Sequence, residues 1–174
     1  MELKSLSMLD MGKIRWWRNR QMEMLRTSFP LTQEMQEDFY EKVICDRNSN
    51  SRFWGLWNKE EFLGMCGIEN IQWENRLGEI SLLLNPEIIT DENLQKTLEL
   101  VLHEGFNKLN LENIFTEVYE CSHIHMLWIE SANKHNAKLV VLPNRKYWNG
   151  KYYDSEYINF NKERYNESII TESS

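Results

Sequence analysis

Gly78-Glu79-Ile80-Ser81-Leu82-Leu83-Leu84-Asn85 has strand character and stops at Pro86. Leu94, Leu98, Val101, Leu102, Phe106 and Leu109 then recur at helical spacing, and Ile114-Phe115-Thr116-Glu117-Val118-Tyr119 returns to strand character. Residues 78–120 therefore read as a βαβ unit, with strands over 79–85 and 114–119 and a helix over 91–108. Strands joined by a crossover helix run parallel. The backbone amides at the N-terminus of such a helix face outward and favour an anion. A phosphate-bearing cofactor would therefore sit at the turn between Pro86 and Leu94, which reads Glu87-Ile88-Ile89-Thr90-Asp91-Glu92-Asn93.

Strand alternation places Glu79, Ser81, Leu83 and Asn85 on one face and Ile80, Leu82 and Leu84 on the other. Glu79 thus shares its space with polar Ser81 and Asn85. Glu117 and Tyr119 alternate in the same way on the second strand. Glu79 is thereby the best placed of these groups to act as a base held on a rigid element.

Working outward, Trp17-Arg18-Asn19 is followed by Phe29-Pro30-Leu31-Thr32 and by Glu34, Gln36, Phe39 and Tyr40. Phe53-Trp54-Gly55-Leu56-Trp57, a turn at Asn58-Lys59-Glu60-Glu61, and Phe62-Leu63-Gly64-Met65-Cys66-Gly67-Ile68 form an early hairpin. Tyr147-Trp148-Asn149-Gly150-Lys151-Tyr152-Tyr153-Asp154 forms a last one, since Asn-Gly suits a tight turn with positive φ at both central residues. Together with the βαβ unit, these segments resemble the GNAT superfamily of acyl-CoA-dependent N-acyltransferases, in particular the branch that acetylates ribosomal-protein N-termini and amino sugars on nucleotide carriers. The resemblance covers roughly residues 4–165.

It implies a single α/β (α+β) domain over residues 1–165: a mixed central sheet with a parallel strand pair that splays apart near Asn85, and flanking helices. Residues 166–174 are left as a polar, frayed C-terminal tail. It implies acyl transfer from acetyl-CoA or another acyl-CoA to a primary amine, borne by an amino sugar, a small molecule or a polypeptide N-terminus. Glu79 and Ser122 fall where the family does its chemistry. Leu83, Leu84, Thr90, Asn93 and Leu94 fall where it holds the cofactor.

The sequence also departs from the family pattern. The glycines that let backbone N–H groups wrap the CoA pyrophosphate fall on Thr90, Glu92 and Leu94, and the preceding basic residue falls on Ile89. Side chains and negative charge there oppose the usual mode of CoA binding. The turn has a complete structural reading as well: Thr90 or Asp91 caps the helix, and Asp91 and Glu92 complement its dipole. The tyrosine that protonates the leaving thiolate falls on Ile129, which has no proton to give, and an asparagine early in the same helix falls on Ser122. The Gly-Phe pair that closes this helix falls on Asn133-Lys134. The alternative to an enzyme is thus a catalytically degenerate GNAT-fold protein serving as a binding or assembly module.

Cys121, His123 and His125 alternate as three metal-ligand types, but no fourth ligand stands at a familiar spacing, and no metal is expected. In a helix, Cys121 and His125 would lie one turn apart with His123 on another face.

With 27 acidic against 20 basic residues, the formal net charge is −7, which disfavours nucleic acid as a partner. Arg15, Arg18, Arg20 and Arg26 form a local basic run whose stems are expected to pack and whose heads are expected to be solvated. The 41% hydrophobic content suits one domain with a sizeable core. Cys45, Cys66 and Cys121 are unpaired in spacing, and neither a leader nor an apolar run of about 18 residues is visible, so a cytoplasmic protein without a membrane partner is expected. Seven Trp, seven Tyr and seven Phe exceed what a core needs. Tyr147, Trp148, Tyr152 and Tyr153 in the last hairpin are candidates for a protein partner or a homodimer.

Overall fold

The computed structural model describes residues 1–172. One seven-stranded sheet runs through it: β1 (Glu2–Lys4), β2 (Arg52–Asn58), β3 (Glu61–Gln72), β4 (Leu77–Leu84), β5 (Asn113–Tyr119), β6 (Lys138–Trp148) and β7 (Lys151–Asn161), in the order β1-β2-β3-β4-β5-β7-β6. Every neighbouring pair is antiparallel except β4–β5. The helices are α1 (Met8–Asn19), α2 (Gln33–Phe39), α3 (Asp91–His103), α4 (His125–Lys134) and α5 (Lys162–Glu172). This is the expected mixed α/β domain with one parallel strand pair.

The parting of that pair makes the site. Only Leu77, Gly78 and Glu79 of β4 pair with β5, opposite Asn113, Ile114 and Phe115. Beyond this, β4 stays with β3 as far as Leu84, whereas β5 follows β7 to Tyr119. The strands therefore separate from Glu79 onward, earlier than the expected Asn85. Each of them prefers a long antiparallel ladder on its other side to a longer parallel one.

Leu94, Leu98, Val101, Leu102 and Phe106 line the inner face of α3 and its continuation and are buried with Ile68, Ile80, Ile114, Ile158 and Phe160 of the sheet. Thr90 caps α3, its hydroxyl accepting from the Asn93 N–H at 3.2 Å, a cap of the kind worth about 1 kcal/mol. The helix predicted over 91–108 is α-helical to His103 and then widens into a π-type turn over Glu104–Lys108. A side chain at Gly105 would collide with Ile114 and Ile68, so glycine lets this turn rest directly on the sheet.

A second cluster joins Met11, Ile14 and Trp17 of α1 to Phe62, Met65 and Leu83. The last hairpin turns at Asn149 (φ 49°) and Gly150 (φ 86°), as its sequence predicts. Residues 166–172, read from the sequence as a frayed tail, continue α5.

Candidate active site

Where β4 and β5 part, a cavity of about 140 Å³ opens between them. Glu79, Ser81 and Leu82 line it from β4, Glu117 and Tyr119 from β5, Glu69 from β3, and Ser122 and Trp128 from the chain after β5. The structure thus brings Glu79 and Ser122, the two predicted catalytic residues, to one cavity. Glu69 was not singled out in the sequence. Its cross-strand pairing with Glu79 depends on the register of β3 against β4, where a bulge between Glu69 and Gln72 intervenes. No local pattern reports that register.

The cavity is lined by acid and capped by arginine. Glu79 accepts hydrogen bonds from Arg26 Nη2 and from Asn70 Nδ2, the latter at 3.3 Å. Glu117 accepts from Arg145 Nε at 2.9 Å and from the Ser155 hydroxyl at 2.7 Å, with Arg26 at 3.9 Å. Burial opposes ionisation of Glu117, but the hydrogen bonds from Arg145 and Ser155 and the charges of Arg145 and Arg26 outweigh it and lower its pKa. Glu69 goes the other way: burial and the neighbouring charge of Glu79 raise its carboxyl above the ordinary range, with Arg26 and a hydrogen bond to Ser81 opposing in part. Burial and Glu117 raise the Tyr119 phenol, so Tyr119 is neutral at pH 7 and carries a proton.

Arg26 reaches this place because its segment is anchored. Buried Lys146 of β6 donates to the Leu25 carbonyl, to the Ser28 hydroxyl and, at 3.4 Å, to the Met22 carbonyl. Its ammonium lies 5.3 Å from the Tyr119 ring centroid and 5.6 Å from that of Trp148, and burial lowers its pKa. In the basic run near the N-terminus Arg20 and Arg26 are exposed, as expected, and the heads also find partners. Arg18 donates to the Phe29 carbonyl and the Thr27 hydroxyl, Arg20 lies over the Trp16 ring, and Arg26 spans the acidic cavity.

The predicted cofactor residues lie elsewhere and divide into two kinds. Leu83, Leu84 and Leu94 have side chains buried in the core, which leaves only their backbone for a ligand. Thr90 and Asn93 sit at the start of α3 and are engaged with one another, and Asn93 Nδ2 also donates to the Ile88 carbonyl at 2.7 Å. The acid of this turn is met by base: Asp91 pairs with Lys134 at 3.1 Å and Glu92 with Lys96 at 2.5 Å. The repulsion expected against an anion is thereby reduced.

For an acyl-CoA the fit is mixed. The gap between β4 and β5 suits an extended arm bearing a thioester, and the self-capped start of α3 offers no bare backbone cradle for a pyrophosphate. Ile129 packs against the core and does not line the cavity. The hydroxyls at the β5 end of the cavity belong to Tyr119 and Ser122.

The Cys/His stretch after β5 holds other contacts. Cys121 donates to the Glu23 carbonyl at 3.5 Å, His123 meets the Glu23 carboxylate at 2.9 Å, and His125 meets Glu156 at 2.5 Å. Among the described residues no group of three or more His, Cys, Asp or Glu is arranged to hold a metal ion. Among them, too, no helix is long and apolar enough to cross a membrane.

A mixed sheet with one splayed parallel pair is the architecture expected of an acyl-CoA-dependent N-acyltransferase. The acetyltransferase (GNAT) domain profile matches residues 3–140, and the chain belongs to that family of N-acyltransferases. No curated protein matches the sequence significantly. Among solved structures, a single-residue mutant of spermidine N-acetyltransferase from Vibrio cholerae superposes with a TM-score of 0.81 at 18% identity, covering 95% of this chain and 97% of that one. A dodecameric form of the Vibrio cholerae enzyme gives a TM-score of 0.79 at 18% identity, covering 94% and 95%. Its complex with CoA and spermine gives 0.78 at 17% identity, covering 94% and 96%. At such identities the likeness is one of fold.

Proposed function

We propose that this chain is an N-acetyltransferase that accepts the acyl group of acetyl-CoA onto a small cationic amine. One observation carries the reading: three glutamates from three adjacent strands line the cavity that opens where β4 and β5 part. An ammonium ion is the ligand that such a cluster attracts, and a partly closed site makes that attraction stronger than in water. The Vibrio cholerae enzyme's complex with CoA and spermine supports a cationic acceptor by analogy.

Acetyl-CoA supplies an activated acyl carbonyl. The chain's own groups do the rest. Glu79, fixed by Arg26 and Asn70, draws the ammonium to the parting of the strands. Tyr119 stands as the proton donor on the opposite wall, in place of the helix tyrosine that this chain lacks, and Ser122 shares its end of the cavity. Of the two leucines expected to hold the cofactor on β4, Leu83 pairs with Met65 of β3 and the Leu84 carbonyl accepts from Gln21 Nε2 at 2.9 Å. Thr90, Asn93 and Leu94 mark the start of α3, where Lys96 and Lys134 are engaged by Glu92 and Asp91 and reduce the repulsion a phosphate would meet.

The hairpin tip, with Tyr147 61% and Tyr152 62% exposed, is the proposed contact for a homodimer or a protein partner. A binding or assembly module without catalysis is not favoured.

The test is calorimetric titration with acetyl-CoA, followed by mass spectrometry of alkylamines, diamines and amino sugars incubated with protein and acetyl-CoA. Acetylated amine is the expected product. Binding without any product would favour the binding module.

A further inference from the structure

Three carboxylates line the cavity and two guanidinium groups, Arg26 and Arg145, pair with them, so one carboxylate is left over. Glu79 is engaged by Arg26 and Asn70. Glu117 is engaged by Arg145 and Ser155. Glu69 lines the same cavity, and among the described residues no ion pair reaches it, whereas Arg26 and Arg145 are both taken up by the other two.

Glu69 and Glu79 are directly opposed in the antiparallel β3–β4 ladder. Side chains so placed lie on one face with Cβ atoms about 5 Å apart. An ammonium drawn in by Glu79 is thereby delivered to Glu69. We infer that Glu69 is the general base of the transfer and that Glu79 is the residue that positions the acceptor beside it. This rests on the N-acetyltransferase reading above.

The chemistry favours the unpaired partner. For Glu79 to take a proton it would have to give up a charge-assisted bond to Arg26, which opposes protonation. Glu69 has no guanidinium to give up, only a hydrogen bond from Ser81. Burial and the charge of Glu79 raise its pKa toward that of an alkylammonium, and each unit by which donor and acceptor approach makes the proton-transfer equilibrium ten times less unfavourable.

The step balances as follows. Glu69 takes one proton from the ammonium and passes it to solvent. The freed amine nitrogen attacks the thioester carbonyl, the C–N bond forms and the C–S bond breaks. The second nitrogen proton is lost as the thiolate gains one through Tyr119. The products are the amide, the thiol and one proton in solution.

The groups facing Glu69 are Glu79 and Ser81 of β4 and Arg26 of the segment after α1, with Glu117 and Tyr119 of β5 across the cavity. Because the base works ionised, kcat/KM rises with pH through the raised value of Glu69.

The experiment is the pH profile of kcat/KM, with acetyl-CoA and a primary alkylamine, for wild type, Glu69→Gln, Glu69→Asp and Glu79→Gln. It is paired with a 13C NMR titration of glutamate carboxyls in the same proteins. Glu69→Gln should lose 10²–10⁴-fold together with the acid limb, and one carboxyl signal titrating above the usual range should vanish. Glu69→Asp should keep the limb at reduced rate. Glu79→Gln should weaken KM for the amine and move the limb and the signal to lower pH, because the repelling charge is gone.

Full activity in Glu69→Gln, with the limb lost instead in Glu79→Gln, overturns the assignment and leaves the acetyltransferase reading standing. Wild type that acetylates no amine overturns both.

Discussion

The start of α3 and the gap between β4 and β5 are both places where a regular element leaves backbone groups without partners, and the chain treats them in opposite ways. At α3 it satisfies itself. Thr90 caps the helix, Asp91 and Glu92 take up its dipole, and Lys134 and Lys96 take up their charge. At the gap it gathers Glu69, Glu79 and Glu117 around a cavity and supplies only two arginines to face them. A helix terminus can be closed by its own neighbours in sequence, at no cost to the fold. A surplus of half-buried carboxylates is costly unless something else uses it. The chemistry is therefore to be sought in the gap, although the family's usual signature would direct attention to the turn.

The largest effect that separates the two regions is on turnover. Glu69→Gln should lower kcat/KM by 10²-fold or more, while thermal unfolding shifts by no more than a few degrees because the replacement is nearly isosteric. Glu92→Gln should leave turnover within a factor of two. Steady-state rates and thermal melts on the two variants decide between gap and turn.

Next in size is the support of Arg26. Lys146→Met removes the donor shared by Leu25 and Ser28 and should cost about 1–3 kcal/mol in urea unfolding, the range for leaving buried acceptors unpaired. It should also raise KM for the amine as Arg26 loses its anchorage. An unchanged KM would separate the anchor from the site.

Opening the turn should act on the cofactor alone. Ile89→Arg with Glu92→Gly should tighten acetyl-CoA by about tenfold in calorimetry, on the order of 1.4 kcal/mol. Adding Leu94→Gly should instead unfold the protein, because Leu94 is fully buried and such a deletion costs about 2–5 kcal/mol.

The smallest effect is on acid stability. Since the folded-state pKa of Glu117 is lowered, its contribution to stability is present above the ordinary carboxylate range and is lost as pH falls through its lowered value. Unfolding free energies of wild type should therefore converge on those of Glu117→Gln as the solution is acidified below pH 4. Parallel curves would show that Glu117 is not so held.

Much of this was legible in the sequence, for reasons that particular residues make plain. Period-3.6 burial from Leu94 to Phe106, the Asn149-Gly150 turn and the strand ending at Pro86 are local signals, and the elements formed where they pointed. Glu79 could be aimed at the cleft because alternation within one strand is also local. What escaped was everything that depends on partners far apart in the chain. Glu69 joins Glu79 across a bulged ladder, Arg26 arrives from 53 residues away in sequence, and Lys146 holds its segment from the far side of the sheet. By position in the sequence, Ile129 marks the place of a lost proton donor. In the structure it packs against the core, and Tyr119, an alternating residue of β5, presents a hydroxyl to the cavity instead. Ile129→Tyr should accordingly bring no gain in rate, and Tyr119→Phe should bring a loss.

The most direct measurement is the product itself. Protein, acetyl-CoA and a linear diamine are incubated at pH 8, and the amine is analysed by mass spectrometry alongside titration of the released thiol. The acidic gap predicts monoacetylated diamine in equal amount to free CoA, abolished in a Glu69→Gln, Glu79→Gln double variant. Thiol release without acetylamine, or equal product from the double variant, would contradict the assignment of the transfer to the gap between β4 and β5.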